Sequence, residues 1–176
     1  MSSVLNNNKY LKEAIFILFL YFTLIISFIL GENSTGGAIQ DYFNQKNASQ
    51  GFASEFLKTL YEYDTFETRH SPVLIIFLSL FEKFNLPDTL IRLIHLHLCL
   101  FLPFVFYKCL ILKFSEIDKK ILLFLTSLIF LSPTFRSLAI WPDSRLLGLI
   151  LFTLSVYFFL KFEDSKDFKF TVYNVI

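Results

Sequence analysis

The chain has 176 residues and a formal net charge of +1; 55% of its residues are hydrophobic and 19% aromatic, with 24 Phe. A soluble domain of this length has too little interior volume for so many large apolar side chains, which here cluster in long uncharged runs. The composition therefore predicts an all-α protein, a polytopic bundle of membrane helices, and excludes a soluble enzyme. The Phe residues are expected in lipid and core contacts, so nucleic acid is not expected as a partner.

The first apolar run covers residues 14–30 and follows a polar N-terminus that contains Lys9 and Lys12. About 17 helical residues at 1.5 Å each extend ~26 Å, enough for a bilayer core when the flanks contribute. The run is longer than a usual signal-peptide core, and no small-x-small cleavage site closes it. We therefore expect a retained membrane span.

The first outer loop, residues 31–89, opens with a Gly36-Gly37 pair followed by Asp41. Paired glycines permit tight or left-handed turns, which would return the Asp41 carboxylate to the membrane surface. A carboxylate there can accept a proton from an incoming hydroxyl or amine, or ligate a divalent metal. The alternative is a solvated loop acid without a function.

The segment 73–81 in this loop is apolar, but nine helical residues cover only ~14 Å, about half a bilayer core. It is therefore predicted to be an interfacial helix, with Ser71 as its N-cap and Pro72 at its first position. Its free N–H groups, together with Arg69 and His70, would favour a phosphate. The alternative is ordinary capping combined with a membrane anchor.

The second span, 90–112, carries a polar stripe of Asp88, Arg92 and His95 at i, i+4 and i+7, followed by Cys99. Ionisable residues within a span usually face a cavity or a partner, so Arg92 is a candidate for phosphate binding. The alternative is an Asp88–Arg92 ion pair at the interface, with His95 bonded to a neighbouring helix.

The loop 134–145 is the second outer loop. Arg136 and Arg145 are candidates for phosphate binding, and Asp143 is a candidate second acid near Asp41. The alternative is a pair of snorkelling arginines with a loop acid. Lysines concentrate at the N-terminus, in the turn 113–120 and after residue 160, which places both termini in the cytoplasm. The prediction is thus an integral protein of the bacterial cytoplasmic (inner) membrane with four transmembrane helices, at about 14–30, 90–112, 120–134 and 146–160.

The order of these elements resembles the start of a GT-C glycosyltransferase. The motifs are the loop sequence Gly36-Gly37-Ala38-Ile39-Gln40-Asp41, the element His70-Ser71-Pro72 before an apolar half-helix, and the span that carries Arg92. The similar enzymes are the polyprenyl-phosphate-sugar-dependent transferases, including protein O-mannosyltransferase-like and lipid A aminoarabinose transferase-like members. The whole chain, residues 1–176, is similar to their N-terminal portion.

The resemblance implies that Asp41 is the catalytic base or the acceptor-orienting acid. The donor would be a polyprenyl-phosphate-linked sugar, and the acceptor a glycan, lipid or protein on the outer face. Asp143, preceded by Arg136, stands where some relatives have a second essential acid. Tyr42 replaces the second acid that many relatives have after the first, which argues against a metal-binding acidic pair, and a divalent metal is kept only as an alternative. Candidate substrate-binding residues are Arg69, His70, Arg92, Arg136, Asp143 and Arg145.

Members of this family have more spans than this chain, so it is expected to be a truncated form of the domain. The main alternative is a small, non-catalytic integral membrane protein or assembly partner. A third hypothesis is a transporter that uses Asp88, Arg92 and His95 as a polar path, and four spans offer it little enclosed volume.

Overall fold

The computed structural model describes residues 2–34, 37–66 and 71–175, with side chains described for 14–34, 37–66 and 71–173. Arg69 and His70 lie outside the described residues. The described chain is all-helical, as predicted, and contains no strand. Its α-helices are α1 (Ser2–Leu30), α2 (Ala38–Ser54), α3 (Phe56–Tyr61), α4 (Pro72–Lys83), α5 (Asp88–Cys99), α6 (Phe101–Lys113), α7 (Lys119–Leu131), α8 (Pro133–Ile140), α9 (Ser144–Ser165) and α10 (Lys169–Val175). A 3-10 helix, Tyr63–Phe66, lies between α3 and α4.

Within the described residues, two helical units are long and apolar enough to cross a membrane. One is Asp88–Lys113, formed by α5 and α6 around a break at Leu100, and the other is α9, of 22 residues. Helices α7 and α8 together reach that length, but they meet at an angle of 65°. The apolar part of α1, Ala14–Leu30, is shorter. The structure thus supports a membrane protein, and four spans stay a prediction.

The bend between α7 and α8 falls at the end of the predicted third span, 120–134. Pro133 has no N–H to continue the α7 hydrogen bonds, and Ser132 leaves the helical conformation at ψ 118°. The Ser132 hydroxyl then accepts a hydrogen bond from the Phe135 N–H at 3.3 Å and caps α8. The segment predicted as an outer loop is therefore largely helix.

Helix α8 lies at the centre of the main hydrophobic core. Ala139 and Ile140 are fully buried, packed with Leu24 of α1 and Leu96 of α5. Trp141, which follows α8, is also buried against this core. The side chains of this segment thus face other helices.

Helix α4 confirms the short helix predicted in the first outer loop. It begins at Pro72, and the Ser71 hydroxyl accepts a hydrogen bond from the Val73 N–H at 3.4 Å. Its buried face packs against α2 through Ile75, which contacts Ala48 and Phe52. Its other face exposes Val73 and Leu80, as expected for a helix that rests on lipid. The described part of the segment 31–89, predicted as the first outer loop, is therefore mostly helical.

Candidate functional site

Asp41, Asp143 and Arg145 come together where the first outer segment meets the start of α9. Asp41 lies in the first turn of α2, where its negative charge complements the helix dipole. Asp143 is the N-cap of α9, and its Oδ1 accepts a hydrogen bond from the Arg145 N–H at 2.7 Å. The two acids predicted from separate loops thus lie at two neighbouring helix N-termini.

Arg145 joins the two acids. Its Nε and Nη2 donate to the two carboxylate oxygens of Asp143 at 2.9 and 2.7 Å, a bidentate pair. The same Nη2 donates to Asp41 Oδ2 at 2.5 Å. The Asp143 side chain is fully buried, whereas those of Asp41 and Arg145 are 32% and 53% exposed. The cluster therefore has one fixed acid beneath an arginine and one acid open to solvent.

The sequence permitted a tight or left-handed turn at Gly36-Gly37, and of these two glycines the structure describes Gly37. Gly37 has φ −128°, which any residue can adopt, and a Cβ there would meet only Asp41 Oδ2 at 3.9 Å. The side chain of Asn33 instead supports the start of α2, because its Oδ1 accepts a hydrogen bond from the Ile39 N–H at 3.4 Å. Gly36 lies outside the described residues. The approach to Asp41 thus depends on Asn33 more than on Gly37.

Arg136 forms a second ion pair, with Glu32, which the sequence did not single out. Its Nε and Nη2 donate to the Glu32 carboxylate at 2.8 and 2.9 Å, and its Nη1 donates to the carbonyls of Phe130 and Leu131. The hydrogen bonds from Arg136 lower the pKa of Glu32 to about 2. Arg136 thereby ties the first outer segment to the end of α7. Phosphate binding by Arg136 stays a prediction that requires release of Glu32.

Arg92 contacts Trp141 at the inner side of this region. Its Nε donates to the Ile140 carbonyl at 3.1 Å, and its guanidinium carbon lies 3.5 Å from the centre of the Trp141 ring. Trp141 Nε1 in turn donates to the Glu32 carbonyl at 3.1 Å. Arg92 Nη2 is buried without a hydrogen-bond partner within the described part of the chain. Trp141 thus links Arg92 to Glu32. A single tryptophan in the sequence gave no sign of these two contacts.

The polar stripe of α5 has its polar partners on two other helices, α2 and α8. Asp88 pairs with Lys46 of α2 at 2.6 Å, so the Asp88–Arg92 pair considered from the sequence is not the ion pair that forms. His95 Nδ1 lies 3.1 Å from the Ala139 carbonyl oxygen, which confirms a bond to a neighbouring helix. These contacts give the stripe a role in helix packing and leave little basis for a polar path.

Helix α2 also places polar atoms in the interior beside this region. The Tyr42 hydroxyl and both side-chain amide atoms of Gln45 are buried with no hydrogen-bond partner among the described residues. Burial raises the pKa of the Tyr42 hydroxyl, so it stays protonated at neutral pH. The period of the helix would have shown that Tyr42 and Gln45 share a face, but not that this face is inward.

An apolar groove of about 550 Å³ lies between α6, α7, α8 and α9. Its outer end is lined by Ser132, Thr134 and Leu146, and its deeper part by Cys109, Thr153 and others. Leu146, one of the lining residues, follows Arg145 directly in α9, and the groove lining includes neither Arg145 nor Asp41. An elongated apolar ligand with a charged head would fit this combination.

Metal binding has no direct support in the described residues, where no three His, Cys, Asp or Glu side chains cluster as ligands. The Arg145 guanidinium occupies the place between Asp41 and Asp143 that a bridging cation would take. Comparison of the chain with protein-family models, curated proteins and solved structures finds no match. The resemblance to GT-C enzymes therefore rests on the motifs alone.

Proposed function

We propose that this chain is the N-terminal membrane portion of a GT-C type glycosyltransferase that takes a sugar from a polyprenyl-phosphate donor at the extracytoplasmic face. The observation that carries the proposal is the partly exposed Asp41 carboxylate, which pairs with Arg145, whose neighbour in α9, Leu146, lines an apolar groove. An acid, a cation and a lipid-sized groove are the three features that such a reaction requires. The activity is proposed for the protein that contains this chain.

Asp41 is the proposed general base. It accepts the proton of an acceptor hydroxyl or amine as the acceptor atom bonds to the anomeric carbon of the sugar. The bond from that carbon to the phosphate oxygen breaks, and the polyprenyl phosphate leaves with the electron pair, so the configuration inverts. Arg145 bonds only Oδ2 of Asp41 in the structure, and its positive charge would stabilise the leaving phosphate.

The groove provides the proposed site for the polyprenyl chain. Its walls are almost entirely apolar, and its outer end adjoins Arg145 through Leu146. A donor lying in it would place its phosphate near the guanidinium and its sugar near Asp41. Next to this region, Arg92 packs on Trp141 and Arg136 pairs with Glu32. Trp141 and Glu32 are themselves joined by a hydrogen bond.

The proposed topology has four spans with both termini in the cytoplasm of a bacterial cell. The apolar part of α1, the unit Asp88–Lys113, the bent pair of α7 and α8, and helix α9 supply the spans. The lysines of the turn between α6 and α7 favour its cytoplasmic location. Asp41 and Asp143 then lie together on the outer side, as their contact through Arg145 requires.

The test is sugar transfer by membranes that contain the full-length protein. Radiolabelled polyprenyl-phosphate hexose, pentose and aminosugar are supplied as donors, and label in the acceptor fraction is counted. We expect Asp41→Asn to abolish transfer at unchanged protein level, whereas Asp64→Asn, at an exposed acid in the 3-10 helix, leaves it unchanged. Full transfer by Asp41→Asn would refute the assignment of the base.

A second candidate function is that of a non-catalytic assembly partner. It is favoured by the observation that Arg136 and Arg145 both use their guanidinium groups in internal ion pairs. In that case no donor is consumed by wild-type membranes, and Asp41→Asn still co-purifies with the same membrane partners as wild type. The transfer assay above separates the two.

A further inference from the structure

A second groove, of about 340 Å³, lies between α1, α6 and α7. Its walls include Leu20 of α1, Phe104 of α6 and Leu123 of α7. The polar side chains Thr126 and Ser127 also line it, but each hydroxyl donates to a carbonyl of its own helix, at 2.9 and 2.6 Å. The groove is therefore an apolar channel with few free donors.

Lys108 is the cation of this groove. Its side chain is exposed, and its Nζ lies 5.5 Å from the centre of the Phe104 ring, which is itself part of the wall. No ion pair to Lys108 forms among the side chains described. The ammonium is thus fixed at the groove by an aromatic face and is open to a negatively charged group.

Lys108 lies near the end of α6 that is proposed to face the cytoplasm. It lies five residues, or about 7.5 Å, before Lys113 at the end of α6, and a lysine can extend that far toward the interface. The two carboxylates in the following turn are engaged elsewhere: Asp118 caps α7 through the Lys120 N–H, and Glu116 accepts a hydrogen bond from Ser115. Among the described side chains, Lys108 thus lines the groove without an opposing carboxylate.

We propose that this groove binds one anionic phospholipid of the cytoplasmic leaflet. An acyl chain lies against Leu20, Phe104 and Leu123, and the phosphate pairs with Lys108. Basic pockets between membrane helices on the cytoplasmic side bind anionic headgroups, because that leaflet carries the negative lipids. The site requires only that the chain lies in a membrane with this turn inward, and it is independent of the glycosyltransferase proposal.

Native mass spectrometry of the full chain tests the site, with phosphatidylglycerol and phosphatidylcholine of identical acyl chains as probes. We expect wild type to prefer phosphatidylglycerol and Lys108→Ala to lose about fivefold of that preference, the value of one lysine near the surface. Lys108→Arg should retain the preference. Lys113→Ala, at the end of the same helix and outside the groove, should retain it as well.

Two outcomes would overturn the proposal. One is equal binding of both lipids by wild type, and the other is an equal loss in Lys113→Ala and Lys108→Ala, which would indicate general surface attraction. Phe104→Ala provides a second measurement, because Phe104 is an exposed wall residue that the fold does not need. It should weaken both lipids by a similar factor, whereas Phe124→Ala, at an exposed phenylalanine of α7 outside the groove wall, should not.

Discussion

Arg145 donates from one nitrogen, Nη2, to Asp41 and Asp143 at once. These acids come from segments about a hundred residues apart, and one is buried whereas the other is partly exposed. The buried acid also takes the Nε hydrogen bond, so it fixes the arginine even when the exposed acid moves away. This asymmetry permits Asp41 to exchange partners while Arg145 stays in place.

Removing the arginine should affect stability and the site together. In Arg145→Ala the buried Asp143 carboxylate loses two charge-assisted hydrogen bonds, which should cost about 1–3 kcal/mol. Arg145→Lys should recover only part of this, because an ammonium lacks the planar fork that binds both oxygens. Thermal unfolding in detergent provides the measurement. Equal melting temperatures for wild type and Arg145→Ala would show that the bidentate pair does not contribute.

The Glu32–Arg136 pair should make stability depend on acid pH. Because the folded-state pKa of Glu32 is lowered from 4.5 to about 2, its ionised form contributes stability that is fully present above pH 4.5. That stability is lost as the pH falls from there toward 2. Glu32→Gln should flatten this acid limb of a plot of unfolding midpoint against pH. Glu55→Gln, at an exposed acid, should leave the limb as in wild type.

Two glycine substitutions form a matched pair for packing. A Cβ at Gly51 would lie 3.0 Å from both Phe66 Cζ and Thr59 Oγ1, so Gly51→Ala should destabilise the protein by about 1–3 kcal/mol. A Cβ at Gly148 meets nothing within 4 Å, so Gly148→Ala should stabilise α9 by about 0.4–1 kcal/mol. Denaturation midpoints compare the two. A stable Gly51→Ala variant would mean that the contact between α2 and the segment 59–66 is looser than described.

Trp141 is the single tryptophan of the chain and therefore reports directly on the region behind the site. It is only 8% exposed, so its fluorescence should resist quenching by iodide in the folded protein. Trp141→Phe retains a ring against Arg92 but loses the hydrogen bond to the Glu32 carbonyl, at a cost of about 0.5–1.5 kcal/mol. Strong iodide quenching of the native protein would contradict the buried position.

The proposed orientation has its own measurement. Glu116→Cys should resist an impermeant thiol reagent in intact cells, because the turn between α6 and α7 is proposed to be cytoplasmic. Asp64→Cys, on the opposite side, should be labelled under the same conditions. The native Cys99 and Cys109 are buried and free, so they provide a low background. Labelling at position 116 would refute the four-span arrangement.

The sequence predicted the helices and capping residues better than their partners. Ser71 and Pro72 start a helix as expected, because capping depends on local hydrogen bonds that a short pattern contains. The neighbourhood of Asp41 and Asp143 was expected from topology, but the joining role of Arg145 was not. Glu32 and Trp141 were missed as site-supporting residues, because their contacts connect segments that are distant in the chain. Long-range pairs of this kind leave no periodic signal.

The angle between α7 and α8 was the other property that the sequence did not reveal. The sequence predicted that the third span ends near Pro133, but not the angle of 65° at which α8 leaves α7. The bend arises from the proline together with Arg136, which bonds the last carbonyls of α7. The proline and Arg136 both change the hydrogen bonds of the backbone, whereas a hydropathy profile depends only on the side chains.

The central place of α8 has a consequence for how the protein is made. This helix has eight residues and is packed against α1, α5, α7 and α9, so its environment is complete only after α9 has been synthesised. Glu32, the ion-pair partner of Arg136, belongs to a segment about a hundred residues earlier in the chain and is therefore already synthesised when α8 emerges. The ion pair can therefore hold the newly made bend near α1 during insertion, before the last long helix closes the bundle.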